Sequence, residues 1–352
     1  MTSPTTPTIS PAAQQRIVDL IAKELEVTAP QIAAAVTLLD GGATVPFIAR
    51  YRKEATNNLD DTHLRTLEER LLYLRELEER RQTILASIEE QGKLTDELRR
   101  AVEQAATKQA VEDIYLPYKP KRRTNAQIAR EAGLEPLANA LLADPTLDPE
   151  QEAVAYVKVV PAAEGVEAIN VPDVKAALEG ARDILVERFA ETADLLAALR
   201  EKLWNEGIVT STVMPGKETA EEEKFRDYYA YSETIRTIPS HRALAMFRGR
   251  TLGVLKLDLG LGESLDAMVP HPCAAMIAAH FGIEHRGRRA DKWLADVCYW
   301  AWRVKVHLHL STELLLQVRE AAEAEAIKIF GRNLHELLLA APAGPKAVLG
   351  LD

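Results

Sequence analysis

The segment from Asp61 to Gln91 is a long stretch without glycine or proline. Four leucines recur in it three and four residues apart, and the apolar stripe then continues less regularly past Glu78 and Arg81 to Ile84 and Ile88. The four leucines are Leu64, Leu67, Leu71 and Leu74, and Leu77 begins the less regular part. This spacing predicts a single α-helix about 45 Å long.

A return helix is predicted directly after it. Gly92 ends the long helix, Thr95 is a suitable N-cap, and Leu98, Val102 and Ala105 supply an inner apolar face. Because clean heptads are not sustained, the pattern favours an antiparallel hairpin over residues 61–107 within one chain rather than a dimeric coiled coil. We therefore expect a monomer.

Short amphipathic helices are predicted before the hairpin. The first begins near Pro11, and the second begins at Thr28, where Gln31 completes a capping box, and stops at Gly41-Gly42. In the segment 43–54, an apolar anchor is expected to carry cations outward in a geometry resembling a helix-turn-helix. The anchor is formed by Val45, Phe47 and Ile48, and the cations are Arg50, Arg52 and Lys53.

The rest of the chain also indicates helices. Helical periodicity spans 174–204, the stretch 159–172 is typical of a linker, and a small hairpin is predicted near 251–259 from alternating leucines. Two buried helical faces are expected near the C-terminus: Trp293, Val297, Trp300, Val304 and Leu308, then Leu315, Val318, Ala322, Ala326 and Ile329. The predicted fold is mainly α, multi-helical, with a minor β element.

Charge directs the search for function to local patches. The formal net charge is −10, yet residues 114–130 carry five lysines and arginines and no acid. Pro117 and Pro120 make this segment an irregular loop, and Tyr115 and Tyr118 beside it are suited to stacking on bases. Phosphate contact is one interpretation, and a scaffold loop paired to surface carboxylates is the other.

A second acid-free run, 236–250, contains Arg236 and three further arginines, for which structural ion pairing competes with phosphate binding near the helix start at Pro239-Ser240-His241. For Arg50, Arg52 and Lys53, a nucleic-acid contact competes with packing between the first helices and the hairpin, where arginine stems cover apolar surface. We predict RNA or single-stranded DNA as the partner. The candidate contacts are Lys119, Lys121, Arg122, Arg123, Arg130, Arg50, Arg52, Lys53, Arg242, Arg248 and Arg250.

No catalytic, metal or cofactor site is predicted. His307 and His309 are two residues apart, which places them on different helix faces, and no CxxC motif accompanies His271, Cys273, His280 and His285. No glycine pattern indicates a nucleotide site. The two isolated cysteines, Cys273 and Cys298, and the lack of a signal peptide or membrane-length apolar run indicate a cytoplasmic protein without a membrane partner.

Several motifs resemble one family. The segments 42–56, 67–77, 116–124 and 128–136 are similar to the Tex family of bacterial transcription accessory proteins, and the similarity continues through Pro239 to Leu244 and 333–344. It covers essentially the whole chain after the N-terminal tail. Residues 1–10, rich in Thr, Ser and Pro, have too little apolar material to pack and are expected to form a disordered tail. The resemblance implies an N-terminal helical domain over 11–200, a central helical region over 201–345 with a small β element near 251–259, and a truncated first strand of a ribonuclease-H-like domain over 346–352.

The resemblance also implies a function. In the family, a ribonuclease-H-like domain, helix-hairpin-helix repeats and an OB-fold domain follow, and the OB-fold domain is the main nucleic-acid binder. Asp352 matches the first acidic position of the ribonuclease-H-like domain, but one carboxylate without partners cannot hold a catalytic metal. We therefore expect a noncatalytic nucleic-acid-binding module for transcription. The alternative is a scaffold that docks on RNA polymerase or the ribosome.

Overall fold

The computed structural model describes residues 9–120, 122–160, 169–217, 220–342, 344–347 and 349. The chain is mainly α-helical with small antiparallel sheets, which confirms the predicted fold class. It divides into two compact units, Met1–Pro120 and Lys121–Asp352. The predicted domain limits stay predictions; the one after residue 200 falls within a helix, and the predicted strand at 346–352 lies mostly outside the described residues.

Six helices form the described part of the first unit, residues 9–120, and five of them contact the long helix α4. They are α1 Pro11–Glu24, α2 Ala29–Asp40, α3 Val45–Tyr51, α4 Asp61–Glu90, α5 Asp96–Gln104 and α6 Lys108–Tyr115. The predicted stripe of α4 is buried along its whole length, from Leu64 to Ile88. Gly92 follows the helix with a φ of 66°, and the Thr95 hydroxyl accepts a hydrogen bond from the amide of Leu98, so the predicted hairpin is confirmed.

The interruption of the stripe has a structural explanation. Glu78 is buried and accepts hydrogen bonds from Arg81 at 3.0 Å and from Arg16 of α1 at 3.5 Å. Arg81 also donates to the carbonyl of Ala105 at 2.6 Å. These polar contacts join α4 to α1 and to the end of α5, so the two charged residues belong to the inner face of the helix.

The short helix α3 differs from its prediction at one residue. Val45 and Ile48 are buried as expected, but Phe47 is 44% exposed and does not belong to the anchor. The helix has only seven residues, and positions 45 and 48 already fill the face that packs on α4. Phe47 lies on the opposite side, one turn before Tyr51.

The second unit combines ten helices among the described residues with five strands. The helices are α7 Asn125–Glu131, α8 Glu135–Ala143, α9 Pro149–Val154, α10 Val174–Ala190, α11 Ala193–Glu206, α12 Ser240–Thr251, α13 Glu263–Asp266, α14 Pro272–His280, α15 Asp291–Trp300 and α16 His307–Leu338. A 3₁₀ helix covers Ala220–Tyr228. α10 lies against α7, where Gly180 leaves room for Leu134 and Ala129.

The strands form two antiparallel sheets. They are β1 Lys158–Val160, β2 Ile169–Val171, β3 Ile208–Val213, β4 Ala230–Thr234 and β5 Leu255–Gly260. β1 pairs with β2, and the other three are ordered β4-β3-β5. The predicted linker at 159–172 therefore begins and ends in strands, and its residues 161–168 lie outside the described residues.

The β element predicted near 251–259 from the alternating leucines is confirmed by β5, but the predicted hairpin there is wrong. α12 continues to Thr251, and β5 pairs with β3, from an earlier part of the chain, with Ser211 opposite Leu257. The sequence did not reveal β3 because one of its inward positions is polar: Ser211 is buried and donates its hydroxyl hydrogen bond to the carbonyl of Tyr228 at 2.7 Å. Gly249 of α12 packs closely on Leu255 of β5.

The predicted apolar face at 293–308 is also wrong after Val297. Trp300, Val304 and Leu308 are 43 to 66% exposed, whereas Trp302 and Val306 are buried. For Val304 and Leu308 the cause is a π-helical segment, Ala301–Val306, that joins α15 to α16 and places more residues in one turn. The burial pattern therefore changes phase there. Of the second predicted face, Leu315, Val318 and Ala322 are buried, but Ile329 is 39% exposed.

Candidate nucleic-acid interface

The first unit contains one end of the cationic loop. α6 ends at Tyr115, and the amide of Lys119 donates to the Tyr115 carbonyl at 2.9 Å. The side chain of Gln91 holds the Tyr118 carbonyl at 2.9 Å. Lys119 is exposed and has no carboxylate partner among the described residues. Its backbone is therefore fixed while its ammonium group faces solvent.

Tyr115 does not match its predicted role. Its side chain is 7% exposed, and its hydroxyl shares a hydrogen bond of 2.8 Å with Ser87 of α4. The ring belongs to the core of the first unit and cannot stack on a base. Tyr118 is half-buried and packs against the same core.

The second unit begins with the other cations of the loop. Lys121 lies outside the described residues. Arg122 is exposed and has no acidic partner in the part of the chain that the structure describes. Arg123 donates to Glu131 through Nε at 3.0 Å and Nη2 at 2.6 Å, with 49% of its side chain exposed. An exposed pair of this kind contributes little to stability, so a phosphate can compete with Glu131 for Arg123.

Arg130 has a structural position. Its Nη1 donates to Oε2 of Glu187 at 2.6 Å, and the side chain of Glu187 is only 7% exposed. The hydroxyl of Thr124, the N-cap of α7, donates to the other oxygen of Glu187 at 3.1 Å. Arg130 thus neutralises a buried carboxylate where α7 packs on α10.

A second group of cations lies at the end of α3. Arg50, Arg52 and Lys53 are all exposed. Arg52 is 3.9 Å from Glu54, at the outer limit of an ion pair, and both side chains are at least half exposed. Within residues 9–120, neither Arg50 nor Lys53 has a carboxylate partner. This end of the first unit is locally positive although the whole chain is acidic.

The arginines of the run 236–250 divide into two kinds. Arg242 donates to the hydroxyl of Tyr231 at 2.9 Å and to Glu233 at 3.3 Å. The hydrogen bond to Tyr231, and after it the one to Glu233, raises the pKa of the Arg242 guanidinium. Arg248 and Arg250 are exposed in the last turn of α12, without a carboxylate partner among the described side chains. Cations there also complement the helix dipole, which is a structural explanation for their presence.

The histidines and cysteines have structural contacts. His307 donates from Nε2 to the carbonyl of Leu259 at 2.6 Å. The amide of Cys273 donates to Nδ1 of His271, so Nε2 of His271 carries the proton that faces Asp266 at 3.2 Å. In the described part of the chain, no group of three or more His, Cys, Asp or Glu side chains is arranged to hold a metal ion.

The sequence analysis missed one groove of the second unit. It has a volume of about 630 Å³ between α9, α10 and α15, and in it the guanidinium of Arg182 lies over the Trp300 ring at 4.5 Å from its centroid. Glu150, Glu179 and Asp296 also line it, so the groove is poorly suited to phosphate. The sequence analysis placed Trp300 in a buried face, whereas the structure leaves it 44% exposed in this groove. None of the described helices is both long enough and apolar enough to cross a membrane.

Comparison with known proteins places this helical architecture in a family. The family model described as "Tex central region-like" matches residues 144–330, and the one described as "Tex-like protein N-terminal domain" matches residues 15–89. Since the first covers more than half of the chain, the chain belongs to the Tex family. The resemblance noted from the motifs is confirmed.

Curated relatives agree. The chain is 55% identical to Protein tex of Bordetella pertussis over its whole length, 56% identical to Protein YhgF of Escherichia coli over 95% of the chain, and 52% identical to Transcriptional accessory protein Tex of Neisseria gonorrhoeae over 96% of the chain. The chain spans 42 to 44% of the length of these relatives.

Proposed function

We propose that this chain is a noncatalytic nucleic-acid-binding module that helps to position RNA or single-stranded DNA during transcription. One observation carries the proposal. Six of the predicted contacts are exposed and have no carboxylate partner within the described residues. They are Arg50, Lys53, Lys119, Arg122, Arg248 and Arg250.

Carboxylates outnumber cations in this chain and can neutralise most of its surface cations. In a chain with a net charge of −10, surface cations are expected to lie beside carboxylates, as Arg65 does beside Asp61 at 2.7 Å. A cation left without such a partner gains more from a phosphate, because binding releases the counterions condensed on the nucleic acid. Arg130 and Arg242 are already paired, so we leave them out of the interface. The name of the Neisseria gonorrhoeae relative, Transcriptional accessory protein Tex, supports a role in transcription.

Charge reversal in the 352-residue chain tests the proposal. We expect R50E/K53E and R248E/R250E each to weaken binding of a fluorescein-labelled 12-nucleotide oligouridine, measured by anisotropy, by at least about tenfold. The matched control is R65E/K175E, which changes the net charge equally at two cations that have carboxylate partners, Asp61 and Glu179. Equal losses in all three variants, or no binding by the wild-type chain, would overturn the proposal.

The noncatalytic part needs its own assay. We expect the chain, incubated with Mg²⁺ and end-labelled RNA, to leave the RNA intact on a denaturing gel. Cleavage that persists through purification and disappears with EDTA would contradict this part.

Protein docking is the second candidate function, and one surface favours it. The last turns of α16 expose apolar side chains over 43 to 74% of their area. They are Ile327, Phe330, Leu334, Leu337 and Leu338. Exposed apolar patches often mark protein contacts, here with RNA polymerase or the ribosome as the proposed partner. A pull-down with purified polymerase or ribosomes that resists high salt and is lost in F330E/L337E would favour docking. We also expect the chain to be a monomer, so light scattering should give the molar mass of one chain.

A further inference from the structure

Two aromatic rings lie exposed beside the cations at the end of α3. Phe47 is 44% exposed and Tyr51 is 60% exposed, and their ring centroids are 5.5 Å apart with an interplanar angle of 46°. Aromatic residues make up only 5% of the chain. Two of them side by side in solvent need an explanation.

Packing within the first unit does not provide that explanation. Val45 and Ile48 fill the buried face of α3, at 3% and 0% exposure. Phe47 and Tyr51 are one turn apart on the other face, and Arg50 lies three residues after Phe47 on that same face. Smaller polar residues at 47 and 51 would leave the buried face unchanged.

The rings and the cations form one continuous surface. Arg50 lies three residues after Phe47 and next to Tyr51 in α3, and Lys53 follows two residues after the end of the helix. Both cations are exposed and lack a carboxylate partner within the described part of the first unit. Glu54 is the nearby acid, and its contact is with Arg52 at 3.9 Å.

We propose that Phe47 and Tyr51 form a stacking platform for the bases of a single-stranded nucleic acid, while Arg50 and Lys53 contact its phosphates. This inference rests on the proposed function and specifies the form of its ligand. Every base has a π face, so stacking on aromatic rings accepts any sequence but requires bases that are unpaired. Paired bases inside a duplex are not accessible to side chains on a convex helix surface. The α3 platform therefore selects single strands over duplexes.

The test separates stacking from charge. In the full chain, F47A/Y51A removes both rings and leaves all cations in place. Y51F is the matched conservative variant, because it keeps a ring at position 51. The probes are a labelled 12-nucleotide oligouridine, an abasic oligomer with the same number of phosphates, and a 12-base-pair duplex. Anisotropy is recorded for each at several salt concentrations, and circular dichroism checks the fold.

We expect F47A/Y51A to bind the oligouridine at least about tenfold more weakly than the wild type, with the salt slope unchanged. Y51F is expected to bind within about twofold of the wild type. The wild type should prefer the oligouridine to the abasic oligomer, and F47A/Y51A should lose that preference.

The outcomes distinguish this inference from the proposed function. Salt-dependent binding of the wild type that is unchanged in F47A/Y51A would overturn the stacking platform and leave the cation interface intact. An equal loss of single-strand, abasic and duplex binding would also overturn it, because stacking acts only on unpaired bases. If the wild type binds none of the three probes, the proposed function fails as well.

Discussion

Arg130 and Glu187 form an ion pair of 2.6 Å between α7 and α10, and Glu187 is buried within the second unit. One of the cations predicted to bind nucleic acid therefore compensates an internal charge. Arg122 is exposed to solvent, and Arg123, whose side chain is 49% exposed, pairs with Glu131 at 2.6 Å. The cationic segment thus serves both packing and surface charge.

The ion pair predicts a stability effect without a binding effect. We expect R130A to lower the free energy of unfolding by about 3 kcal/mol, because the buried Glu187 would lose its 2.6 Å ion pair with Arg130. R130A/E187Q should recover part of that loss, since a neutral amide costs less to bury. Urea unfolding measures both. Oligouridine affinity of folded R130A is expected to stay within about twofold of the wild type, and a large loss of affinity would show that Arg130 contacts phosphate.

The charged interruption of α4 predicts non-additivity. Removing Glu78 alone leaves Arg81, whose side chain is 16% exposed, without its carboxylate, so E78L should destabilise the chain by about 2 to 4 kcal/mol. E78L/R81L replaces the pair by apolar side chains and should be closer to the wild type than E78L is. A double-mutant cycle by denaturant unfolding gives the coupling. Additive single effects would contradict the pairing.

The two buried cysteines are predicted to resist alkylation in the native protein. Burial raises the pKa of the Cys273 thiol to about 12, and burial also raises that of Cys298 to about 12. Thiolate is the reactive form, and at pH 8 only about one part in ten thousand of each thiol would be ionised. Native protein should thus resist iodoacetamide between pH 7 and 9, and mass spectrometry should detect two adducts after denaturation. Rapid native labelling would indicate that either thiol is accessible.

A close contact predicts the effect of one methyl group. A Cβ at Gly249 would lie 2.5 Å from Cδ1 and 2.8 Å from Cγ of Leu255, so G249A must shift α12 or β5. We expect a loss of about 1 to 3 kcal/mol in unfolding free energy. G331A is the control, because nothing lies within 4 Å of the corresponding Cβ in α16. Equal stability of the two variants would mean that the contact relaxes without cost.

Sequence periodicity predicted the helices well because their signals are local. Leu64 to Ile88 and the caps at Thr28 and Thr95 required no knowledge of tertiary contacts. The sequence did not predict β3, because the buried Ser211 hydroxyl finds its hydrogen-bond acceptor, the carbonyl of Tyr228, only after the chain has folded. The π-helical segment 301–306 likewise changed the burial phase in a way that spacing does not show.

Sequence patterns predicted only part of the candidate interface. Acid-free runs identify clustered cations, but they cannot distinguish Arg248, which is exposed, from Arg242, which meets Tyr231 and Glu233 across the sheet edge. Phe47 was assigned to the core because an apolar residue beside Ile48 is usually buried. The sequence did contain a signal for a surface pair that was not used: Phe47 and Tyr51 are four residues apart and lie next to arginines.

Salt dependence tests the central claim most directly. The wild type should bind oligouridine more weakly as salt rises. A plot of log Kd against log [NaCl] should be a straight line that rises with a slope of about 0.7 for each phosphate neutralised. Reversing Lys119, Lys121, Arg122 and Arg123 together to Glu should reduce both the affinity and the slope. Two results would contradict phosphate recognition by these cations. One is wild-type binding that does not change between 50 mM and 300 mM NaCl. The other is a salt slope that stays unchanged in all three charge-reversed variants, namely the fourfold variant, R50E/K53E and R248E/R250E.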